Sequence, residues 1–235
     1  MKRIIALALL ILVIYSGYKL YNKNNFQKIY TTQEAIDIMD DACGKNSGFG
    51  ICNEERKMIE EKGGNPTYGE ITPQGLAQLI EHYQNILDKN AVLYDLGSGI
   101  GKVATQVALT TPARAVGIEL SPTRHAIAAN IKNELVRKNI LTEDKLQFIE
   151  GNILDVNLNN ATVIFMCSTC FSDELMKKIT EHIYNIPHAH AVQVITLKQL
   201  TPYNTYKFEE FIPGKTFNLC MTWSDCTPVY TYERL

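Results

Sequence analysis

Apolar positions along this chain switch between two spacings, and the switching lays out an order of elements. Residues 31–42 put Ala35, Ile36, Ile38 and Met39 on one helical face, with Thr31 or Thr32 as N-cap. Residues 54–61 predict a second short helix, stopped by Gly63-Gly64 and Pro66. Leu76, Leu79, Ile80, Tyr83 and Ile86 recur at helical spacing behind Thr72-Pro73, a cap followed by proline at the first helical position. From Val92 onward, short apolar runs alternate with helical patterns. Strands are expected over residues 92–94, 115–118, 145–149, 161–166 and 191–197. Between them lie a helix carrying Val103, Ala104, Val107 and Ala108, one from Ser121-Pro122 to about Lys138 with Ala126, Ile127, Ile131 and Leu135 inward, and one capped by Ser172. Such alternation predicts an α/β domain with a mostly parallel, Rossmann-like sheet and helices on both faces. Residues 215–223 and 228–232 read as two strands around Ser224-Asp225-Cys226. They form an antiparallel C-terminal hairpin that brings the sheet to seven strands.

Ahead of this pattern stands an apolar run over residues 4–15, flanked by Lys2, Arg3 and Lys19. It is short against the ~20 residues of a spanning helix, but snorkelling lysines and arginine extend its reach. No clear A-x-A cleavage site follows it. The expected organisation is therefore a single-pass membrane anchor over residues 1–22, a helical lid or linker over 23–67 and the main domain over 68–235.

The segment 92–120 carries the chemistry. An apolar run ends in Asp95, a turn Gly97-Ser98-Gly99-Ile100-Gly101 opens a helix, and a second apolar run ends in Glu119. This is the half of a βαβ unit that cradles a nucleoside cofactor. The glycines let the chain turn sharply and let a ligand approach closely, and the helix start directs unpaired N–H groups toward it. Glu119 at the second strand tip can accept hydrogen bonds from both ribose hydroxyls. A dinucleotide turn would read G-x-G-x-x-G. Here an acid precedes a G-x-G-x-G, which repels pyrophosphate and suits an ammonium group. S-adenosylmethionine carries an ammonium, a sulfonium and a ribose, so Asp95 and the turn fit its methionine end and Glu119 its ribose. The loop after the third strand offers Asn152 for the adenine edge and Ile153 for its face.

Composition narrows the partners. A net charge of −2 over 235 residues supplies no field for nucleic acid, and no direct nucleic-acid binding is expected. The six cysteines include Cys167-x-x-Cys170, but no other pair has close ligand spacing, so unpaired thiols in a reducing compartment and no metal are expected. His188 and His190 read as loop residues. S-adenosylmethionine is made inside cells, which places the domain on that side of the membrane.

With these residues in view, the chain resembles class I S-adenosylmethionine-dependent methyltransferases. It is most similar to the catalytic core of the disruptor-of-telomeric-silencing (DOT) type of histone lysine methyltransferase. Tyr68-Gly69-Glu70, DLGSGIGKV over residues 95–103, VIFMCSTCF over 163–171, and Thr222-Trp223 with PVYTY over 228–232 carry the likeness. It implies that Tyr68 and Glu70 belong to a loop that closes over the cofactor, and that the terminal hairpin helps to line a lysine channel. The departures are an absent asparagine pair, replaced by Cys167 and Ser168, Lys102 in place of a polar neutral residue, and Asn152-Ile153 in place of an acid and an aromatic. The membrane-anchored mitochondrial lysine methyltransferases share the short anchor and the D-L-G-S-G turn.

The reaction implied is in-line methyl transfer to an acceptor, foremost a lysine amine of a protein. Tyr68, Phe171, Trp223 and Tyr230 are candidates for the channel walls, and Ser168 for accepting a hydrogen bond from the amine. The enzyme is expected to be a monomer. A lipid or other small acceptor near the membrane, and a non-catalytic cofactor-binding module, are the alternatives.

Overall fold

The computed structural model describes residues 28–187, 191–202 and 209–234. The anchor expected over residues 1–22, and His188 and His190, lie outside the described residues. No helix among the described residues is long and apolar enough to cross a membrane.

Three helices precede the sheet: α1 (Thr32–Cys43), α2 (Asn53–Glu61) and α3 (Pro73–Tyr83). Thr31 caps α1 in a reciprocal box with Glu34: the Thr31 hydroxyl accepts from the Glu34 amide and the Glu34 carboxylate from the Thr31 amide. Thr72 caps α3, with Pro73 at its first turn. Then β1 (Val92–Leu96), α4 (Lys102–Thr110), β2 (Arg114–Glu119), α5 (Pro122–Arg137), β3 (Leu146–Glu150), a short 3-10 helix (Ile153–Asp155), β4 (Val163–Met166), α6 (Asp173–Tyr184) and β5 (Val192–Thr196) follow. The chain ends in β6 (Phe211–Pro213), β7 (Phe217–Met221) and β8 (Ser224–Arg234).

The sheet runs β3-β2-β1-β4-β5-β8-β6, with β7 also paired to β8. Strands β1 to β5 are parallel to one another, and β8 is antiparallel to β5, β6 and β7. Alternation along β1 shows why two apolar layers form: Leu93 faces the core of α4 and α5, while Val92, Tyr94 and Leu96 face that of α6.

The C-terminal region corrects the expected pattern in two ways. The sheet has eight strands, because the short edge strand β6 joins β8. The hairpin also turns at Thr222-Trp223, with Met221 opposite Ser224, so Ser224, Asp225 and Cys226 lie inside β8. A polar run resembles a loop in sequence, yet here it forms the start of β8, which extends beyond its pairing with β5 and pairs with β7.

Candidate active site

The carboxyl ends of β1, β2 and β4 converge on a cavity of about 340 Å³. It is lined by Asp95, Gly97, Ser98, Gly99, Glu119, Asn152, Ile153, Cys167, Cys170 and Phe171, and roofed by Tyr68, Glu70 and Trp223. This is where ligands sit in open α/β sheets.

The glycine turn is shaped by bonds to the protein. Gly97, Gly99 and Gly101 hold positive φ, at 85°, 56° and 84°. The amides of Gly97 and Ser98 both donate to the Ile118 carbonyl at 2.9 Å, and that of Gly101 donates to the Ser98 carbonyl. Gly99 N–H donates to Glu119 Oε2 at 2.7 Å. The N–H groups of Gly97, Ser98, Gly99 and Gly101 are therefore spent on the geometry of the turn. Gly97 and Gly99 line the cavity, and a Cβ there would press on Phe171 or on the Tyr68 ring. Gly101 does not line the cavity. A Cβ there would strike Phe148 of β3 and Ala128 of α5, so this glycine serves helix–sheet packing.

Glu119 is 7% exposed. Its Oε1 accepts from the Ser121 amide at 2.9 Å and its Oε2 from Gly99, which fixes the carboxylate plane and leaves acceptor capacity toward the cavity. Burial raises its pKa, opposed by these two N–H groups and by the Arg124 cation. Asp95 is 2% exposed, and its Oδ2 has no partner among the described residues. Burial, with the charge of Glu119 added, pushes its carboxyl up to about 8. Ser98 Oγ is also buried without a partner. Leaving such groups unmet costs about 1–3 kcal/mol each, a cost that a ligand with an ammonium group at Asp95 removes.

Above the turn, Tyr68 Oη donates to Glu70 Oε1 at 2.7 Å and Lys102 Nζ donates to Glu70 Oε2 at 2.6 Å. Burial and the Glu70 charge keep the Tyr68 phenol protonated. Trp223, at the hairpin turn and 45% exposed, lies on Gly69 where a Cβ would meet its ring. Asn152 spends its Oδ1 on the Leu154 amide at 3.0 Å, which closes the 3-10 turn carrying Ile153.

Two expected residues stand elsewhere. Ser168 is fully buried and bonded to the Thr196 hydroxyl at 2.7 Å and to the Lys198 amide at 3.0 Å, so its hydroxyl does not reach the cavity. Tyr230 pairs with Thr196 of β5 and packs on the core at the α6 face, away from the lining. All six cysteines carry free thiols. Cys167 lines the cavity with its thiol pushed up to about 12 by burial, which makes it a poor nucleophile. Among the described residues no group of His, Cys, Asp and Glu is placed to hold a metal ion.

Arg124 and Lys102 line the same cavity and were not anticipated as site residues. Arg124 had a signal. The inward face of α5 is Arg124, Ala128, Ile131 and Leu135, so Arg124 occupies the first place of the apolar stripe, while Ala126 is exposed.

Residues 54–212 match the family model described as histone methylation protein DOT1. The chain belongs to the DOT1 family. It is similar to the H3 lysine-79 specific histone-lysine N-methyltransferase of Aspergillus fumigatus, 27% identical over 153 residues, covering 60% of this chain and 29% of that protein. It is also similar to the ribosomal protein L11 methyltransferase of Alkaliphilus oremlandii, 26% identical over 111 residues, covering 47% of this chain and 34% of that protein. The chain thus spans about a third or less of the length of these relatives. Among solved structures, an RNA methyltransferase from Salinibacter ruber in complex with S-adenosyl-L-homocysteine matches with a TM-score of 0.51 and 21% identity, over 68% of this chain and 89% of that one. A magnesium protoporphyrin IX methyltransferase from Synechocystis with bound S-adenosylmethionine matches with a TM-score of 0.51 and 12% identity, over 85% and 91% of the two chains. At these identities the likeness is one of fold. S-adenosylmethionine is the cofactor of this family, and the unmet Asp95, the oriented Glu119 and the bare glycine faces fit it.

Proposed function

We propose that this DOT1-family chain transfers a methyl group from S-adenosylmethionine to a lysine amine of a protein. The observation that carries the reading is the pairing of an unpartnered buried Asp95 with the rigidly held Glu119 across one glycine turn, under a roof of Tyr68 and Trp223.

When bound, the cofactor supplies an electrophilic methyl on sulfur. Glu119 holds the ribose, Asp95 and Glu70 face the methionine end, and Asn152 and Ile153 flank the adenine. Alignment of acceptor and methyl in a fixed site supplies about 7–11 kcal/mol toward displacement. A lysine acceptor must also lose its proton. From a pKa of ~10.4 this costs about 4.6 kcal/mol at pH 7, and a dry aromatic passage lowers that cost by disfavouring the ammonium. Tyr68, Phe171 and Trp223 share the cavity wall and form that passage. The apolar segment over residues 1–22 is proposed as a membrane tether.

Tritiated S-adenosylmethionine incubated with the full chain and fractionated lysate tests the proposal. Label in a protein band, hydrolysing to methyl-lysine and absent with Glu119→Ala, is the expected result. Label in extracted lipid moves the acceptor to a small molecule. Cofactor binding with no labelled product favours a non-catalytic binding module.

A further inference from the structure

We propose that Arg124 is a positioning residue, a latch that holds the segment before β1 closed over the cavity and so sets how long the cofactor stays bound. The proposal deepens the methyl-donor reading of the cavity and rests on it.

Arg124 sits in the first turn of α5, just beyond the Glu119 strand tip, and is 4% exposed. Its Nε donates to the Gly48 carbonyl at 2.9 Å and its Nη2 to the Pro66 carbonyl at 2.8 Å. Its guanidinium carbon stands 4.6 Å from the centre of the Tyr68 ring. One planar cation thus joins three points of a segment far from it in sequence, a task that suits the fixed fork of arginine. A second tie runs the other way. Glu55 of α2 accepts from the Ser121 hydroxyl, and from the amide and hydroxyl of Thr123, at the positive end of α5.

The segment so held is a wall of the cavity: Ile59, Lys62, Gly64, Asn65 and Thr67 line it. Its apolar anchors are few: Ile51 and Ile59 are its buried hydrophobic side chains, and polar bonds to α5 supply the other ties. Segments with few buried apolar groups open locally at low cost, and those beside ligands gate release. The latch also reaches the ligand face. Tyr68, stacked by Arg124, lies over Gly99 and bonds Glu70, which pairs with Lys102 at the start of α4. Closing the wall and placing Glu70 are therefore one event. The ribose carboxylate and the latch stand on one short stretch of chain, so the cofactor and the wall are held from the same strand end.

Stopped-flow release of S-adenosylhomocysteine from the detergent-solubilised full chain, read through the single tryptophan, Trp223, tests this. Arg124→Met is expected to speed release by about tenfold or more with association changed by less than about threefold. Arg124→Lys should fall between, since lysine keeps the charge without the flat fork. Release from Arg124→Met within about twofold of the parent overturns the latch. If Arg124→Met does not fold, Tyr68→Leu removes the stacked ring and reads the same rate. Hydrogen exchange of the ligand-free protein separates the latch from the cofactor reading. Arg124→Met should expose amides over residues 48–68 and leave β1 and β4 protected; unchanged exchange over 48–68 overturns the latch. Should the parent bind no S-adenosylhomocysteine while exchange over 48–68 still depends on Arg124, the cofactor reading falls and takes the control of release with it, and only the tie of Arg124 to the wall stands.

Discussion

Asp95 and Glu119 end neighbouring parallel strands, close enough that the charge of Glu119 adds to burial in raising Asp95. Strand β1 sets Asp95 opposite Gly117 of β2, with Glu119 at the tip just beyond. Gly117 carries no side chain beside Asp95, and the Phe148 ring and the Ser98 hydroxyl fill the place that a Cβ would take.

This pairing predicts a pH dependence. The folded pKa of Asp95, about 8, lies above its ordinary 3.8. Its contribution to stability is therefore whole below the lower value and lost as pH rises through the higher one. The ligand-free protein should lose stability between about pH 4 and 8 at up to roughly 1.4 kcal/mol per pH unit from this group. Denaturant melts across that range check it, and Asp95→Asn should flatten the decline. Binding of S-adenosylhomocysteine near pH 7 should release close to one proton, measurable by calorimetry in buffers of different ionisation enthalpy, and Asp95→Asn should abolish the release.

Glu119→Ala should weaken S-adenosylhomocysteine binding by about 100-fold or more, since two charged hydrogen bonds of roughly 1.5–3 kcal/mol each are lost. It also frees the Gly99 amide, so the turn loosens. Titration calorimetry decides; parent-like affinity removes the ribose role.

Gly101→Ala should act on folding rather than on binding. Its φ of 84° and the Phe148 ring and Ala128 methyl beside it leave no room for a Cβ. A loss of about 2 kcal/mol or more is expected in chemical denaturation. Phe148→Ala in the same chain should recover part of the loss, and the folded fraction should bind S-adenosylhomocysteine as the parent does. Tighter dependence of binding than of stability would return this glycine to the ligand face.

Ser168→Ala should cost about 1 kcal/mol of stability through the Thr196 and Lys198 bonds and leave kcat unchanged. Trp223→Ala should do the reverse, raising the acceptor KM by about tenfold with little change in thermal melting, because its ring is on the rim and partly exposed. Steady-state kinetics with the labelled acceptor protein separate the two.

Cys170 is exposed beside the cavity and Cys167 is not, so iodoacetamide at pH 7.5 should modify Cys170 well before Cys167. Bound S-adenosylhomocysteine should slow the modification of Cys170. Peptide mass mapping over time reads both, and preferential labelling of Cys167 would contradict its burial.

Much of the molecule was legible in the order of its residues. Helical spacings and apolar runs placed α1 to α6 and β1 to β5, because each buries a face or a run that is written locally, although α3 ends at Tyr83 and leaves the expected Ile86 beyond it and exposed. Caps at Thr31, Thr72 and Ser172 marked helix starts because they bond backbone groups three residues away. Asp95, Gly97, Gly99 and Glu119 announced the cavity because one strand–turn–strand unit holds them all.

Distance in sequence hid the rest. Arg124 meets Gly48 and Pro66, Glu55 meets Ser121 and Thr123, and Trp223 meets Gly69 only after the sheet has closed. Ser168 and Tyr230 had chemistry that suited a channel, yet the register of β5 against β4 and β8 turned both away from it. Local sequence determined the glycine turn, since the bonds made by Gly97, Ser98, Gly99 and Gly101 lie within one βαβ half. The roof of the cavity and the contacts of Arg124 were decided by tertiary packing, where the partners of each side chain come from segments that no local spacing brings together.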